Sequence, residues 1–139
     1  MKKNILIEKK LGLGSPISFK KLKNKNLDIK KRILSFIDKN DNKTFVGYGA
    51  SIGTTTLIYE FGLGKMISYL FDDEKRRHNL YSPGYKIKVL NPKKIKAMKN
   101  FYIMIFAWRY SRIIIKKSKM HIKKNDIFLM PLPKFKILK

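Results

Sequence analysis

Two glycines and several hydroxyl side chains lie together in residues 47–56, directly after a short apolar run. Gly47 and Gly49 would let the main chain approach a ligand closely. A helix that opens at Ser51 would point free amides and the positive end of its dipole at a phosphate, and hydroxyls such as that of Thr54 would add donors. The third glycine of the dinucleotide-binding pattern is absent. A phosphate-binding loop and a plain strand-to-helix turn with capping hydroxyls therefore both explain this segment.

Only a few residues elsewhere are suited to chemistry. Asp72 and Asp73 follow an apolar run, where acids bind ribose hydroxyls or cap the next loop, and both roles remain open. Trp108 follows a second apolar run and is suited to stacking on a base or sugar, or to packing at the rim of the core. His78 lies in a polar loop, where we expect a solvated side chain. No nucleophile, base and acid can be assembled from these residues, which indicate a binding module.

Alternating helices and strands are predicted to position these residues. Ser15 and Pro16 form a helix start, and residues 15–39 are predicted to be an amphipathic helix. The apolar face of this helix would carry Phe19, Leu22, Ile29, Ile33 and Phe36. Strands are predicted near residues 44–49, 66–71, 87–90, 101–107 and 127–130, with helices over 51–59, 91–98 and 109–122.

This alternation predicts an α/β fold: a Rossmann-like three-layer sandwich with a mostly parallel sheet, preceded by the amphipathic N-terminal helix. Ligands of such sheets bind outside the carboxyl ends of the strands. Four segments would converge there, namely residues 47–56, 72–73, 76–85 and 107–110. The sequence thus predicts one binding region at this edge of the sheet.

The net charge of +24 on 139 residues suggests nucleic acid or an anionic membrane as a partner. However, Lys outnumbers Arg 28 to 5 and Ile outnumbers Ala 19 to 3, as in proteins from AT-rich genomes, and the lysines are spread along the whole chain. The absence of cysteine excludes disulfides, thiol catalysis and Cys-based zinc sites. Residues 101–115 are the most apolar stretch but contain two arginines and fall short of the ~20 residues of a membrane helix. The first residues carry too few apolar side chains for a signal peptide. We expect a cytoplasmic protein with no membrane partner, and nucleic acid is disfavoured.

Five motifs occur in one order along the chain, and together they resemble one family. They are GYGASIGTTTL at 47–57, DD at 72–73, LYSPGY at 80–85, AW at 107–108 and PLP at 131–133. Over residues 8–137 the sequence resembles the C-terminal domain of the SAM-dependent C-methyltransferases that act on nucleotide-linked deoxysugars. The resemblance implies that residues 15–139, with a leading helix at 15–39 and an extension at 1–14, form a Rossmann-like domain that binds a nucleotide-diphosphate sugar.

The resemblance also implies a set of site residues and a division of labour. The expected sugar-nucleotide contacts are Tyr48, Gly49, Ser51, Thr54, Tyr81, Ser82 and Trp108. In that family a cysteine-rich zinc module and a SAM-binding domain with the catalytic residues precede this domain. We therefore expect no catalytic residue, no metal and no cofactor in this chain, with SAM and zinc bound only in those other domains.

The expected function is that of a stand-alone C-terminal domain of a sugar C-methyltransferase. It would bind the nucleotide-diphosphate sugar and dock on a separate SAM-binding catalytic chain. The alternative is a basic interaction protein that binds nucleic acid nonspecifically through its lysines. A complete small methyltransferase is a third hypothesis, and it predicts SAM binding by the isolated chain.

Overall fold

Six strands form one mostly parallel sheet in the computed structural model, which describes residues 5, 7, 8, 10–119 and 127–138. The strands are β1 Thr44–Tyr48, β2 Ile67–Phe71, β3 Lys88–Leu90, β4 Phe101–Ile105, β5 Ile127–Met130 and β6 Lys136–Leu138. Their spatial order is β3-β2-β1-β4-β5-β6, and all neighbours are parallel except β5 and β6. The order reverses between β1 and β4, as in doubly wound folds. The predicted α/β, Rossmann-like class is confirmed.

The last strand, β6, was not predicted from the sequence. β5 ends directly before Pro131, since proline has no amide hydrogen to donate to a neighbouring strand. The chain then turns back, and β6 pairs antiparallel with β5, with Leu129 opposite Ile137. Three residues at a sheet edge carry too short a pattern to be recognised without their pairing partner.

The leading helix, α1 (Pro16–Asp38), begins where the sequence predicts. The Ser15 Oγ accepts a hydrogen bond from the amide of Ser18 at 3.2 Å, which caps the helix. The buried residues of α1 lie in its second half, at Ile29, Ile33 and Ile37. The first half departs from the prediction, because Phe19 is 62% exposed and Leu22 is 56% exposed. A helix of this length spans roughly 35 Å at ~1.5 Å per residue, about twice the ~17 Å of a five-residue strand.

Two α-helices that follow α1 complete the layers in the part of the chain that the structure describes. The helix α2 (Ile52–Phe61) is capped by Ser51 and ends at Gly62 in the left-handed conformation, and α3 spans Ser111–Ser118. The predicted helix at 109–122 is confirmed over α3, and its last residues lie outside the described ranges. The predicted helix at 91–98 is a 3-10 helix, Pro92–Ala97. Within the described ranges, no helix combines the length and apolarity needed to cross a bilayer.

The apolar core consists of two clusters, one on each face of the sheet. On one face, α1 and α2 contribute Ile29, Ile33 and Ile58 to a cluster with strand residues such as Leu70. On the other face, Ile95 and Ile114 pack with the opposite side chains of the same strands, among them Val46, Tyr48, Phe71 and Ile105. Successive residues of a strand point to opposite faces, so Tyr48 lies on the α3 face.

Candidate functional site

A cavity of about 570 Å³ opens at the carboxyl ends of β1 and β4, where the strand order reverses. Its volume lies within the range of roughly 300–1,000 Å³ that small-molecule sites occupy. Three segments form most of its wall. They are the turn and start of α2 at residues 49–57, Asp72 with Arg77, and residues 106–110. Of the four segments predicted to converge, residues 47–56 and 107–110 meet here, whereas 72–73 contributes only Asp72 and 76–85 contributes only Arg77.

The turn after β1 requires glycine at position 49. Gly49 has a φ of +100°, and a Cβ added there would lie 2.9 Å from the Ala107 Cβ. The Gly49 amide donates to the carbonyl oxygen of Phe71 at 2.7 Å, and the Phe106 amide donates to the carbonyl oxygen of Tyr48 at 3.0 Å. The chain segments that leave β1 and β4 therefore pack backbone against backbone, and this close approach forms the floor of the cavity.

Asp72 holds this turn in place. Its side chain is buried, with Asp72 only 7% exposed, and accepts three hydrogen bonds. The donors are the Ala50 amide at 2.7 Å, the Glu74 amide at 2.8 Å and the Arg77 Nη1 at 3.0 Å. Of the two roles left open by the sequence, loop capping accounts for the contacts of Asp72. Asp73 is exposed, and it accepts from the Tyr48 hydroxyl at 3.1 Å and the Lys117 Nζ at 3.2 Å.

The start of α2 supplies main-chain donors to the cavity. The first helical hydrogen bonds run from the amides of Thr54 and Thr55 to the Ser51 carbonyl oxygen. The amides of Ile52 and Gly53 precede these bonds and belong to the unpaired first turn of the helix. Such amides, with the helix dipole, favour an anion. Ser51 lines the cavity, whereas Thr54 is buried behind it, its Oγ1 at 3.5 Å from the Ser51 Oγ.

A basic and aromatic wall faces the helix start. The 3-10 helix Trp108–Tyr110 places Trp108, Arg109 and Tyr110 along the cavity. The Arg109 Cζ lies 4.3 Å from the centroid of the Trp108 ring, which is the geometry of a cation–π contact. Arg77, paired with Asp72, lines the same cavity. Anionic and aromatic ligand groups can both be bound here.

Among the cavity residues absent from the set predicted from the sequence, Arg77 and Arg109 bring positive charge and Tyr110 brings a second aromatic ring. A signal for two of them exists in the composition. The chain has 28 lysines and only five arginines, and an arginine that persists in a lysine-rich chain is suited to the planar, bidentate contacts that lysine cannot make. Two of the five arginines line this cavity.

The structure brings together only part of the predicted site. Gly49, Ser51 and Trp108 line the cavity, and Thr54 lies behind it. Tyr48 points to the opposite face of the sheet, where burial, and then the nearby carboxylate of Asp73, raise the pKa of its hydroxyl.

The remaining two predicted residues, Tyr81 and Ser82, are outside the cavity lining. Tyr81 forms an isolated bridge with Lys88, and the Ser82 Oγ accepts a hydrogen bond from the Ile87 amide at 3.1 Å. These contacts give both residues a place in the turn that precedes β3, and a ligand contact by either stays a prediction.

The whole arrangement was compared with known proteins. Residues 1–133 match a family model described as the C-methyltransferase C-terminal domain. The matched region includes every residue that lines the cavity. The comparison with curated proteins gives no significant match.

Proposed function

Because the chain belongs to the C-methyltransferase C-terminal domain family, we propose that its cavity at the ends of β1 and β4 binds the sugar substrate as a nucleotide diphosphate. The observation that carries this proposal is the meeting of a helix start, two arginines and an indole ring in one cavity of suitable size. A nucleotide sugar has the complementary parts: a doubly charged diphosphate, a planar base and a sugar ring.

The diphosphate is assigned to the basic side of the cavity. The unpaired amides of Ile52 and Gly53 and the helix dipole favour negative charge. Arg109 forms no salt bridge within the described residues, so its guanidinium is available for a bidentate contact with phosphate oxygens. Arg77 shares its charge with Asp72 and supplies a weaker, positioned donor. Arg109 is therefore the principal phosphate contact in this proposal.

The base or sugar is assigned to Trp108 and Tyr110. Trp108 is half-buried, and the Arg109 guanidinium stacks on its ring at 4.3 Å from the ring centroid. Tyr110 remains largely exposed and offers apolar area that a ligand would cover. Stacking on such rings contributes roughly 1–3 kcal/mol per base, so Trp108 is expected to make a large contribution to affinity.

Methyl transfer is assigned to a SAM-binding catalytic domain outside these 139 residues, and zinc is assigned to a further module of that enzyme. The cavity described above offers groups suited to binding anions and aromatic or sugar rings. The family description places the domain that this chain forms at the C-terminal end of a C-methyltransferase. In this proposal, the chain presents the nucleotide sugar to the catalytic domain.

The first half of α1 is the proposed docking surface for that catalytic domain. Phe19 and Leu22 continue, at three- and four-residue steps, the same helix face that buries Ile29 and Ile33. They are nevertheless exposed because α1 extends beyond the sheet. A helix face whose apolar side chains, interrupted at Asn26, are covered only in its second half is suited to packing against a second domain.

Calorimetry with dTDP- and GDP-sugars tests the substrate assignment. We expect saturable binding of one of them, weakened about tenfold or more by Trp108→Ala and also weakened by Arg109→Gln. Arg112→Gln is the matched control, because Arg112 is an exposed arginine of α3 outside the cavity lining, and it should leave the affinity unchanged. No saturable binding, by the chain or by its complex with a SAM-binding domain, would refute the proposal. Steeply salt-dependent binding to DNA or RNA in its place would favour the nucleic-acid alternative.

A further inference from the structure

A second cleft, of about 340 Å³, lies on the α3 face of the sheet, across β1 from the cavity described above. We call it the lysine cleft. Its lining includes Tyr48, Asp73, Lys75, His78, Lys93, Lys117 and Ser118. It shares no lining residue with the cavity between β1 and β4. The two clefts therefore present different chemistry to different ligands.

Asp73 organises one side of the lysine cleft. Its Oδ1 accepts from the Tyr48 hydroxyl at 3.1 Å, and its Oδ2 accepts from the Lys117 Nζ at 3.2 Å. The carboxylate charge is thus offset by Lys117, while its remaining lone pairs can accept hydrogen bonds from ligand hydroxyls. Asp73 and Tyr48 together suit a polyhydroxylated group such as a sugar ring.

The other side of the lysine cleft carries unbalanced positive charge. Lys75 and Lys93 form no salt bridge within the described residues, whereas Asp73 is the one acid in the lining and is already paired with Lys117. His78 is held by a hydrogen bond of 2.8 Å between its Nε2 and the carbonyl oxygen of Asp72. Two unpaired ammonium groups at one cleft attract a group with two negative charges, such as a phosphate monoester.

Ser118 provides an independent indication of a ligand. It is only 2% exposed, and its Oγ has no hydrogen-bond partner within the part of the chain that the structure describes. A buried hydroxyl without a partner is costly, and most such groups in folded proteins are satisfied. Ser118 lines the lysine cleft. Because its Oγ is fully buried, a χ1 rotation would bring the hydroxyl to a polar ligand bound there, which would then supply the missing partner.

We propose that the lysine cleft binds a phosphorylated monosaccharide, with the phosphate on Lys75 and Lys93 and the sugar hydroxyls on Asp73, Tyr48 and Ser118. The size of the cleft supports this class of ligand. Its volume of about 340 Å³ lies near the lower end of the range for small-molecule sites, which suits one sugar ring with one phosphate better than a nucleotide sugar. The site is separate from the proposed nucleotide-sugar cavity and does not depend on it.

A titration of the 15N-labelled chain with glucose 1-phosphate, followed by NMR, tests this proposal. We expect saturable shifts in the amides around residues 73–78 and 117–118. Lys75→Gln combined with Lys93→Gln should weaken binding about tenfold or more, the loss expected from removing charge-assisted hydrogen bonds. The matched control combines Lys94→Gln with Lys96→Gln, which removes the same charge from the 3-10 helix that carries Lys93, at positions outside the cleft lining. It should change the affinity less than about twofold.

Ser118→Ala separates a ligand contact from a structural role. We expect weaker glucose 1-phosphate binding with no loss of thermal stability, since the lost hydroxyl has no protein partner. Trp108→Ala should leave this binding intact. Equal losses of affinity in the two double-lysine variants would show that only the net charge of the protein matters, and would overturn the proposal. Loss of binding in Trp108→Ala would place the ligand in the cavity between β1 and β4. If inorganic phosphate bound as tightly as glucose 1-phosphate, the sugar would make no contribution to affinity, and the proposed ligand class would be wrong.

Discussion

Replacing Asp72 by alanine should destabilise the protein far more than the same change at its neighbour Asp73. Asp72 is buried and accepts two main-chain hydrogen bonds, from Ala50 and Glu74, besides its pair with Arg77. Hydrogen bonds to a charged group contribute roughly 1.5–3 kcal/mol each, and the pair with the partly exposed Arg77 adds at most about 1 kcal/mol. We expect Asp72→Ala to lower the free energy of unfolding by about 3–7 kcal/mol, a large share of the ~5–15 kcal/mol of a typical domain.

Asp73→Ala is the matched control, because each substitution removes one negative charge and the same side-chain atoms. Asp73 and its partner Lys117 are both half-exposed, so we expect a loss of about 1 kcal/mol. Urea unfolding can be followed by the fluorescence of Trp108, the only tryptophan in the sequence, and by circular dichroism. Equal losses in the two variants would refute the conclusion that Asp72 holds the turn after β1.

Three further predictions concern the glycines after β1, Tyr48 and the first half of α1. Gly49→Ala should destabilise the chain by about 1–3 kcal/mol because of its positive φ. Gly53→Ala, in a helix where the added Cβ would meet only the Ser51 Oγ at an ordinary contact distance of 3.6 Å, should stabilise it by about 0.5–1 kcal/mol; thermal denaturation distinguishes the two variants. The pKa of Tyr48 is raised in the folded state. The wild type should therefore lose stability relative to Tyr48→Phe as the pH rises above about 10, where the phenol of the unfolded chain ionises, and the stability difference between the two proteins should be constant at lower pH. The same stability difference in urea unfolding at pH 9 and pH 11 would contradict this. Phe19→Ser combined with Leu22→Ser should change the free energy of unfolding of the isolated chain by less than about 1 kcal/mol. The same variant should bind a SAM-binding catalytic domain more weakly, as measured by the fraction of complex in sedimentation velocity. An unfolded variant would show that these residues belong to the core.

Local signals in the sequence were sufficient for most of the fold. The helix start at Ser15, the turn at Gly49 and the helix end at Gly62 are set by capping and by positive φ, which depend on neighbouring residues alone. The strands β1 and β4 were recognisable because a strand buried on both faces has a continuous apolar run. Burial along α1 was predicted less well, since a periodic pattern marks an apolar face without stating how much of it another layer covers.

The candidate site, too, could be predicted from the sequence only in part. From the sequence, the glycine turn, the start of α2 and Trp108 could be assigned to one edge of the sheet, because the carboxyl ends of parallel strands meet there. The motif with Tyr81 and Ser82 was assigned to that edge too, yet it forms the turn before β3. The positions of neighbouring side chains, rather than the order of motifs, decide which groups share a cavity.

Sequence by itself determined the fold class, the family resemblance and the tight turn with its helix cap at residues 49–51, since each depends on residue type and short spacing. Only the tertiary structure decided that Asp72 faces inward while Asp73 faces a separate cleft, and that Arg77 and Arg109 join Trp108 at one cavity. The physical reason is the alternation of side chains along a strand and beyond its end. Adjacent residues point to opposite faces of the sheet, and what each one meets there is set by segments distant in the chain.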